Sequence, residues 1–319
     1  MAHEMYFATP AQMRRYKASK TIGQILVYFF LCVIGLFILI PFVFMVITSF
    51  RDPSNYDYDT INSIFHVIPP ATHEINGTPN YTLSNFISVF TYKSASGQSI
   101  NFGLYYGNTL YVSIIGTFFT LITTVLASFA FARCNFKGKN LLFTILLGTM
   151  MIPGEMMVIT NYQTVMGLSW ENTYASLIFV HGVSVFYIFY LRQTFQQIPN
   201  ELFLAAKVDG YGHFAYLWKV MIPIAMPTII TIMILSLMGA WNSYIWPNLV
   251  ASGDNKVFGW SMKLVSNGLM SLFTSSDGEI SYDTVKIAGS VVVTTPLFIF
   301  FLIFRKYIMR GISRSGIKG

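Results

Sequence analysis

Glu201, Ala205 and Asp209 recur every four residues, with Ala206 beside them and Gly210 directly after. On a helix the two acids and Ala205 therefore share one face. This pattern performs no covalent chemistry. Carboxylates set among small side chains suit docking against another surface, because alanines allow two backbones to approach closely. Asn200 is placed to cap a helix over residues 201–209, and Gly210 supplies the left-handed residue that ends it. Beyond that turn, Phe214, Leu217 and Trp218 predict an apolar stripe on a second short helix, and Pro223 and Pro227 open the apolar stretch that follows.

Three other places carry polar chemistry inside apolar sequence. The string Met151-Ile152-Pro153-Gly154-Glu155 puts a proline, a glycine and a carboxylate within three positions. A buried carboxylate is expensive, so Glu155 either faces a pathway or lies close enough to an outer surface to be solvated. Trp241, Asn242 and Tyr244 combine aromatic faces with an amide, the combination a sugar ring and its hydroxyls require. The same aromatics are equally suited to anchor a helix at a membrane boundary. His181 lies in the middle of an apolar stretch and reads as a packing residue.

The elements that must position these groups are membrane spans. Hydrophobic residues make up 54% of the 319 and charged residues 10%, against about 25% charged in soluble domains, which excludes a water-exposed globular fold. Six stretches approach or exceed the roughly 20 residues needed to cross hydrocarbon: 25–48, 109–132, 141–159, 174–191, 220–246 and 287–304. They predict an all-α polytopic membrane protein with six helices. The basic leader containing Arg14, Arg15, Lys17 and Lys20 precedes an apolar run too long for a signal peptide, so the first stretch reads as a retained helix, kinked at Pro41.

Fifteen of the 20 Lys and Arg residues fall in the N-terminal tail 1–24, loop 133–140, loop 192–219 and the C-terminal tail 305–319. By the positive-inside rule both termini and the 195–219 loop are cytoplasmic. The net charge of +7 is thus a matter of topology and calls for no nucleic acid. Residues 49–108 form an extracytoplasmic loop, and 109–304 form the core. Asn76 and Asn80 match the glycosylation pattern, a short and common signal. Cys32 and Cys134 belong to a span and an inner loop respectively, which disfavours a disulfide.

With its acid, paired alanines, Asp209-Gly210 and two following prolines, the 199–227 segment resembles the EAA loop of ABC importer permeases. Residues 109–140 resemble that family's second core helix and basic turn, the Trp241–Pro247 string resembles its carbohydrate branch, and the tail from Arg305 resembles the ending of its maltose-type subgroup. The resemblance implies the type I importer fold in a bacterial or archaeal inner membrane. It implies a homologous second permease, two ATP-binding subunits and an extracytoplasmic solute-binding protein as partners, with ATP and magnesium held by the ATPase. It further implies that Glu201, Ala205, Ala206, Asp209, Gly210, Phe214, Trp218, Pro223 and Pro227 couple the chain to that ATPase, and that Glu155, Trp241, Asn242 and Tyr244 line a substrate pathway. Leu204 departs from the pattern, since the family has a second glutamate there. The cargo implied is a sugar or oligosaccharide, with glycerol phosphates as the alternative.

No G-x-x-x-x-G-K-[ST] phosphate loop occurs: Gly138-Lys139-Asn140 lacks both the upstream glycine and the hydroxyl. There is no catalytic triad, zinc-spaced histidine cluster or inward carboxylate pair, so no cofactor, metal or enzymatic residue is expected in this chain. An ion-coupled secondary transporter or channel is the competing class. Internal repeats and several intramembrane charges would mark it, whereas this sequence offers no clear repeat and one candidate charge.

Overall fold

The computed structural model describes residues 10–51, 81–91, 101–274 and 283–313. Asn76, Asn80, Asp277, Glu279 and the last six residues of the tail lie outside them. Among the described residues the regular structure is helical, apart from two single-residue bridges, Arg51 with Tyr81 and Asp254 with Ser261. The chain divides into two units, residues 1–86 with 282–291, and residues 87–281 with 292–319.

The first unit contains α1 (Pro10–Ser49), which passes through Pro41 without interruption. Its apolar side chains from Ile22 to Val43 are almost all exposed, the behaviour of a helix whose solvent is lipid. Its end is tied by Asn85 in α2 (Ser84–Thr91). The Asn85 amide donates to the carbonyls of Ser49 at 2.9 Å and Arg51 at 2.7 Å, so carbonyls left over at the helix end gain a donor.

In the second unit α3 (Phe102–Arg133) begins seven residues before the predicted span, with the Asn101 side chain accepting from the Leu104 N–H. It packs mainly on α7 (Val185–Gln196) and α10 (Ile222–Trp241). The face it presents is lined by hydroxyls. Thr109, Ser113, Thr117, Thr120, Thr124 and Ser128 follow helical spacing and are all buried. Across the packed faces Thr123 donates to the Gly182 carbonyl (2.8 Å), Ser128 to the Ile188 carbonyl (2.9 Å), Thr117 to Ser236 (3.3 Å) and Thr194 to Thr228 (3.3 Å). At about 0.6 kcal/mol each in lipid, such bonds set register more than they supply stability.

Three of the six predicted spans are not continuous helices. The third is α4 (Lys139–Thr149) and α5 (Gly154–Gly167), bent by 98° at the break between them. Pro153 takes the cap position of α5, lacks an N–H, and drives Ile152 out of the helical region. The fourth is the five-residue α6 (Tyr174–Ile178), then irregular chain, then α7. Gly182 sits in that break, where a Cβ would stand 2.2 Å from the Phe119 ring. The fifth stretch stops being helical at Trp241 and resumes as α11 (Ile245–Val250). Among the described residues four helices remain long and apolar enough to cross a membrane unaided: residues 16–49, 102–133, 213–241 and 284–306, the last within α13 (Asp283–Ser313), with α12 (Val265–Thr274) preceding it.

Candidate functional site

The 199–227 segment folds as a helical hairpin. Its first arm is α8 (Asn200–Val208), and Pro199 rather than Asn200 holds the cap position, with no side-chain cap bond. The cap predicted for Asn200 is therefore absent. The amide oxygen instead accepts from the Arg133 guanidinium at 3.3 Å, a partner on another helix. The predicted end is observed. Gly210 has φ +78°, its N–H donates to the Lys207 carbonyl at 3.1 Å, and the Tyr211 N–H donates to Ala206 at 2.8 Å. These two bonds form a Schellman motif, which satisfies carbonyls otherwise orphaned at the helix end.

The second arm is α9 (His213–Tyr216), which passes into a π-helical turn, Leu217–Met221, and then into α10. π-turns inside a helix widen the backbone and recur at functional positions. Phe214, Leu217 and Trp218 do not share one face as predicted. Phe214 and Trp218, four residues apart, stand exposed, while Leu217 is 1% exposed and joins Tyr216 and Met221 inside. The wider turn separates residues that an α-helical wheel would group.

The hairpin therefore has two unlike sides. Below, Ala206, Tyr216, Leu217 and Met221 join Phe129, Leu191, Phe195 and Ile198 in one apolar core, and Phe203 meets the Tyr216 ring edge-on at 5.0 Å. Each large side chain in such a core contributes about 1.5–3 kcal/mol, so lifting the hairpin off the bundle costs several times that of any surface contact. On the outer side Glu201, Ala205 and Asp209 are exposed together, as their spacing requires. Leu204, Val208, Phe214 and Trp218 are exposed with them, Val208 at 88%. Large apolar groups left in contact with water around a polar strip mark an interaction surface.

A second feature lies within the bundle. A cavity of about 220 Å³ is enclosed by α3, the α6–α7 break, α10 and the start of α11. Thr117, Thr120, His181, Ser184, Ser236 and Ser243 are among its polar lining, which includes no carboxylate, lysine or arginine among the described residues. His181 stands edge-on to Trp246 at 5.2 Å, and the Trp246 indole is fixed by donating to the Ser176 carbonyl at 2.9 Å. Hydroxyls and an imidazole can exchange hydrogen bonds with a neutral polyol. Among the described residues the lining brings no lysine or arginine to balance the charge of a phosphate. The volume is below the roughly 300–1,000 Å³ of pockets for drug-sized ligands, which limits the cavity to about one ring at a time.

The residues singled out from sequence for a pathway are not part of this lining. Trp241 is 4% exposed, donates its indole N–H to the Val293 carbonyl at 3.3 Å, and packs its ring 5.8 Å from Tyr106. Asn242 ends α10 and turns its amide back onto the Met238 carbonyl at 3.0 Å. Tyr244 begins α11, half-buried, and its carbonyl accepts from Asn267 at 3.2 Å. Their neighbours Ala240 and Ser243 do line the cavity. Glu155 is exposed in the first turn of α5, where a helix N-terminus favours a carboxylate by about 0.3–1 kcal/mol. The hydroxyl stripe on α3 is the signal that sequence reading passed over, since serines and threonines at four-residue spacing are inconspicuous in an apolar helix.

The family model described as binding-protein-dependent transport system inner membrane component matches residues 122–314. The chain is 30% identical over 279 residues to the arabinooligosaccharides transport system permease protein AraQ of Halalkalibacterium halodurans, covering 88% of this chain and 91% of that one. It is 27% identical over 304 residues to the trehalose/maltose transport system permease protein MalG of Thermococcus litoralis, covering 94% and 99%. Its fold matches a solved bacterial ABC transporter involved in the import of the acidic polysaccharide alginate, with a TM-score of 0.71, 19% identity, and coverage of 95% of this chain and 99% of that one.

Proposed function

The chain belongs to the family of binding-protein-dependent transport system inner membrane components, and as such a permease we propose that it forms half of a sugar-conducting pathway driven by a separate ATPase. Its cargo is a neutral sugar or oligosaccharide, a reading supported by the sugar-transporting relatives and by the uncharged hydroxyl lining of the cavity. Glycerol phosphates, the alternative cargo, fit that lining poorly. A homologous second permease completes the pathway, two ATP-binding subunits supply energy with their own ATP and magnesium, and an extracytoplasmic binding protein delivers solute. Both termini and the hairpin face the cytoplasm, in line with the distribution of Lys and Arg. Glu155, Asn242 and Tyr244 contact solute at the boundary with the second permease, while Trp241 holds the turn that presents them.

The observation that carries the coupling role is the two-sided hairpin, sewn into the core below and exposed above. Glu201, Ala205, Asp209, Phe214 and Trp218 enter a cleft on the ATPase, Ala206 and Gly210 keep the hairpin rigid, and Pro223 and Pro227 carry the movement into α10. With Leu204 and Val208 one turn apart on the exposed side, the contact is apolar where a second glutamate would have made it ionic.

Purification through a tag on this chain should bring down an ATPase and a second permease. In proteoliposomes with the binding protein, uptake of maltose, trehalose or arabinotriose should survive collapse of ion gradients and stop when the ATPase nucleotide site is inactivated. Uptake that follows the ion gradient and ignores the ATPase would instead make this an ion-coupled carrier.

A further inference from the structure

Arg133, the last residue of α3, holds three segments at once. One terminal nitrogen donates to the Phe195 carbonyl at 3.2 Å and to the Ile198 carbonyl, and the other donates to the Asn200 side-chain oxygen at 3.3 Å. Phe195 lies in the last turn of α7 and Asn200 is the first residue of α8. The last carbonyls of a helix have no partner within it; the planar guanidinium serves one of them, Phe195, together with the Ile198 carbonyl just beyond, and its fixed fork holds the Asn200 oxygen at a set distance from both, a geometry that an ammonium on a flexible stem does not impose.

The neighbouring cations reciprocate. From α7, Arg192 donates to the Phe131 carbonyl near the end of α3 at 3.2 Å and lies over the Phe143 ring of α4 at 3.9 Å. Lys139, opening α4, reaches the Ala132 and Cys134 carbonyls at 3.4 and 3.0 Å. Each helix end is thus closed by a cation from another helix, at the negative pole where a cation is favoured. None of the three cations meets a carboxylate among the described residues, and apart from the Asn200 side-chain oxygen their hydrogen-bond acceptors are backbone carbonyls. Backbone acceptors fix helix positions more directly than side chains on flexible stems do.

Each arm of the hairpin has its own attachment to the bundle. The second arm continues covalently through the π-turn into α10. The first arm joins α7 through the short 197–199 connection, packs Ala206 and Phe203 on the apolar core, and receives its hydrogen bond from the bundle through Arg133. We propose that Arg133 is a positioning residue of the transport cycle, making the ends of α3 and α7 move with α8 so that a displacement of the hairpin reaches three spans together. This rests on the hairpin being the element that the ATPase moves.

The test is the amount of solute imported per ATP hydrolysed by the complete complex in proteoliposomes, with maltose, trehalose or arabinotriose as probe. Arg133→Ala should lower that ratio about tenfold, the effect of one charge-assisted hydrogen bond, while binding-protein-stimulated ATP hydrolysis stays near its original rate. Arg133→Lys, which keeps the charge and loses the fork, should lie between, and it decides the matter if Arg133→Ala fails to assemble. Asn200→Ala, which removes only the hairpin arm of the contact, should give a smaller drop in the same ratio. An unchanged ratio in Arg133→Lys and Arg133→Ala, or a parallel loss of hydrolysis and uptake at constant ratio, overturns the proposal. Absence of ATP-driven uptake in the unsubstituted complex would instead remove the reading on which it rests.

Discussion

The hairpin at residues 200–221 and the interrupted helices around residues 179–184 stand in contrast within one unit. In the hairpin, local rules operate: a glycine with φ +78° ends α8, two backbone bonds close it, and an apolar underside holds it. Around Gly182, the non-helical chain lies against a ring distant in sequence, Phe119, and a hydroxyl from the same helix, Thr123, donates to the Gly182 carbonyl. Rigid elements that transmit force can be built from short-range signals. A cavity between helices needs irregular backbone with partners elsewhere, as membrane interiors tolerate irregularity only where it is buried or lines a space.

Breaking the hairpin should have the largest effect. Gly210→Pro removes the N–H that bonds the Lys207 carbonyl and demands a negative φ where the chain holds +78°. Uptake should be abolished while capture of sugar by the binding protein is unaltered; unimpaired uptake would contradict the lever. Breaking the other region should cost less. Gly182→Val drives a side chain into the Phe119 ring, and overpacking of this kind costs about 1–3 kcal/mol. Uptake should fall by about tenfold or more and recover in part when Phe119→Ala is added, because the ring is what the new side chain meets. Failure of the second substitution to rescue would mean that Gly182 serves flexibility rather than space.

Smaller effects sharpen the comparison at the cavity edge. Trp241→Ala leaves a hole beside Tyr106 and removes the indole's bond to the Val293 carbonyl, a loss of about 3–5 kcal/mol by the usual cost of deleting a buried tryptophan. It should therefore lower the thermal midpoint of the purified complex more than it changes cargo preference. Asn242→Ala removes an exposed amide that bonds only its own helix, so stability should hold and the ranking of maltose, trehalose and arabinotriose should shift by a few-fold. Identical kinetics for all three sugars would count against a pathway role for Asn242.

Much of the hairpin was legible because its determinants are neighbours in the chain. The four-residue spacing of Glu201, Ala205 and Asp209 does place them on one exposed face, and Asp209-Gly210 does end the helix. Asn200 and Leu217 were misread for a common reason. The sequence shows which local bond or stripe is available, yet Arg133 claimed the amide and the π-turn redirected the leucine. Legibility was poorer for the cavity. His181 reads as a packing residue and the hydroxyls of α3 as unremarkable helix positions, because nothing in a linear spacing states that α7 and α10 will face them.

Sequence by itself determined that this chain lives in a membrane, is helical, and carries a hairpin turned by Gly210, while the resemblance of residues 199–227 pointed to the importer permeases. The first three conclusions follow from hydropathy, spacing and one glycine, all of which act within a few residues. The tertiary structure alone decided that three of the six apolar stretches are interrupted, that Trp241 is buried, and that Arg133 closes the end of another helix. Each of these depends on which helices meet, and side chains far apart in the chain settle that by competing for the same space and the same backbone partners.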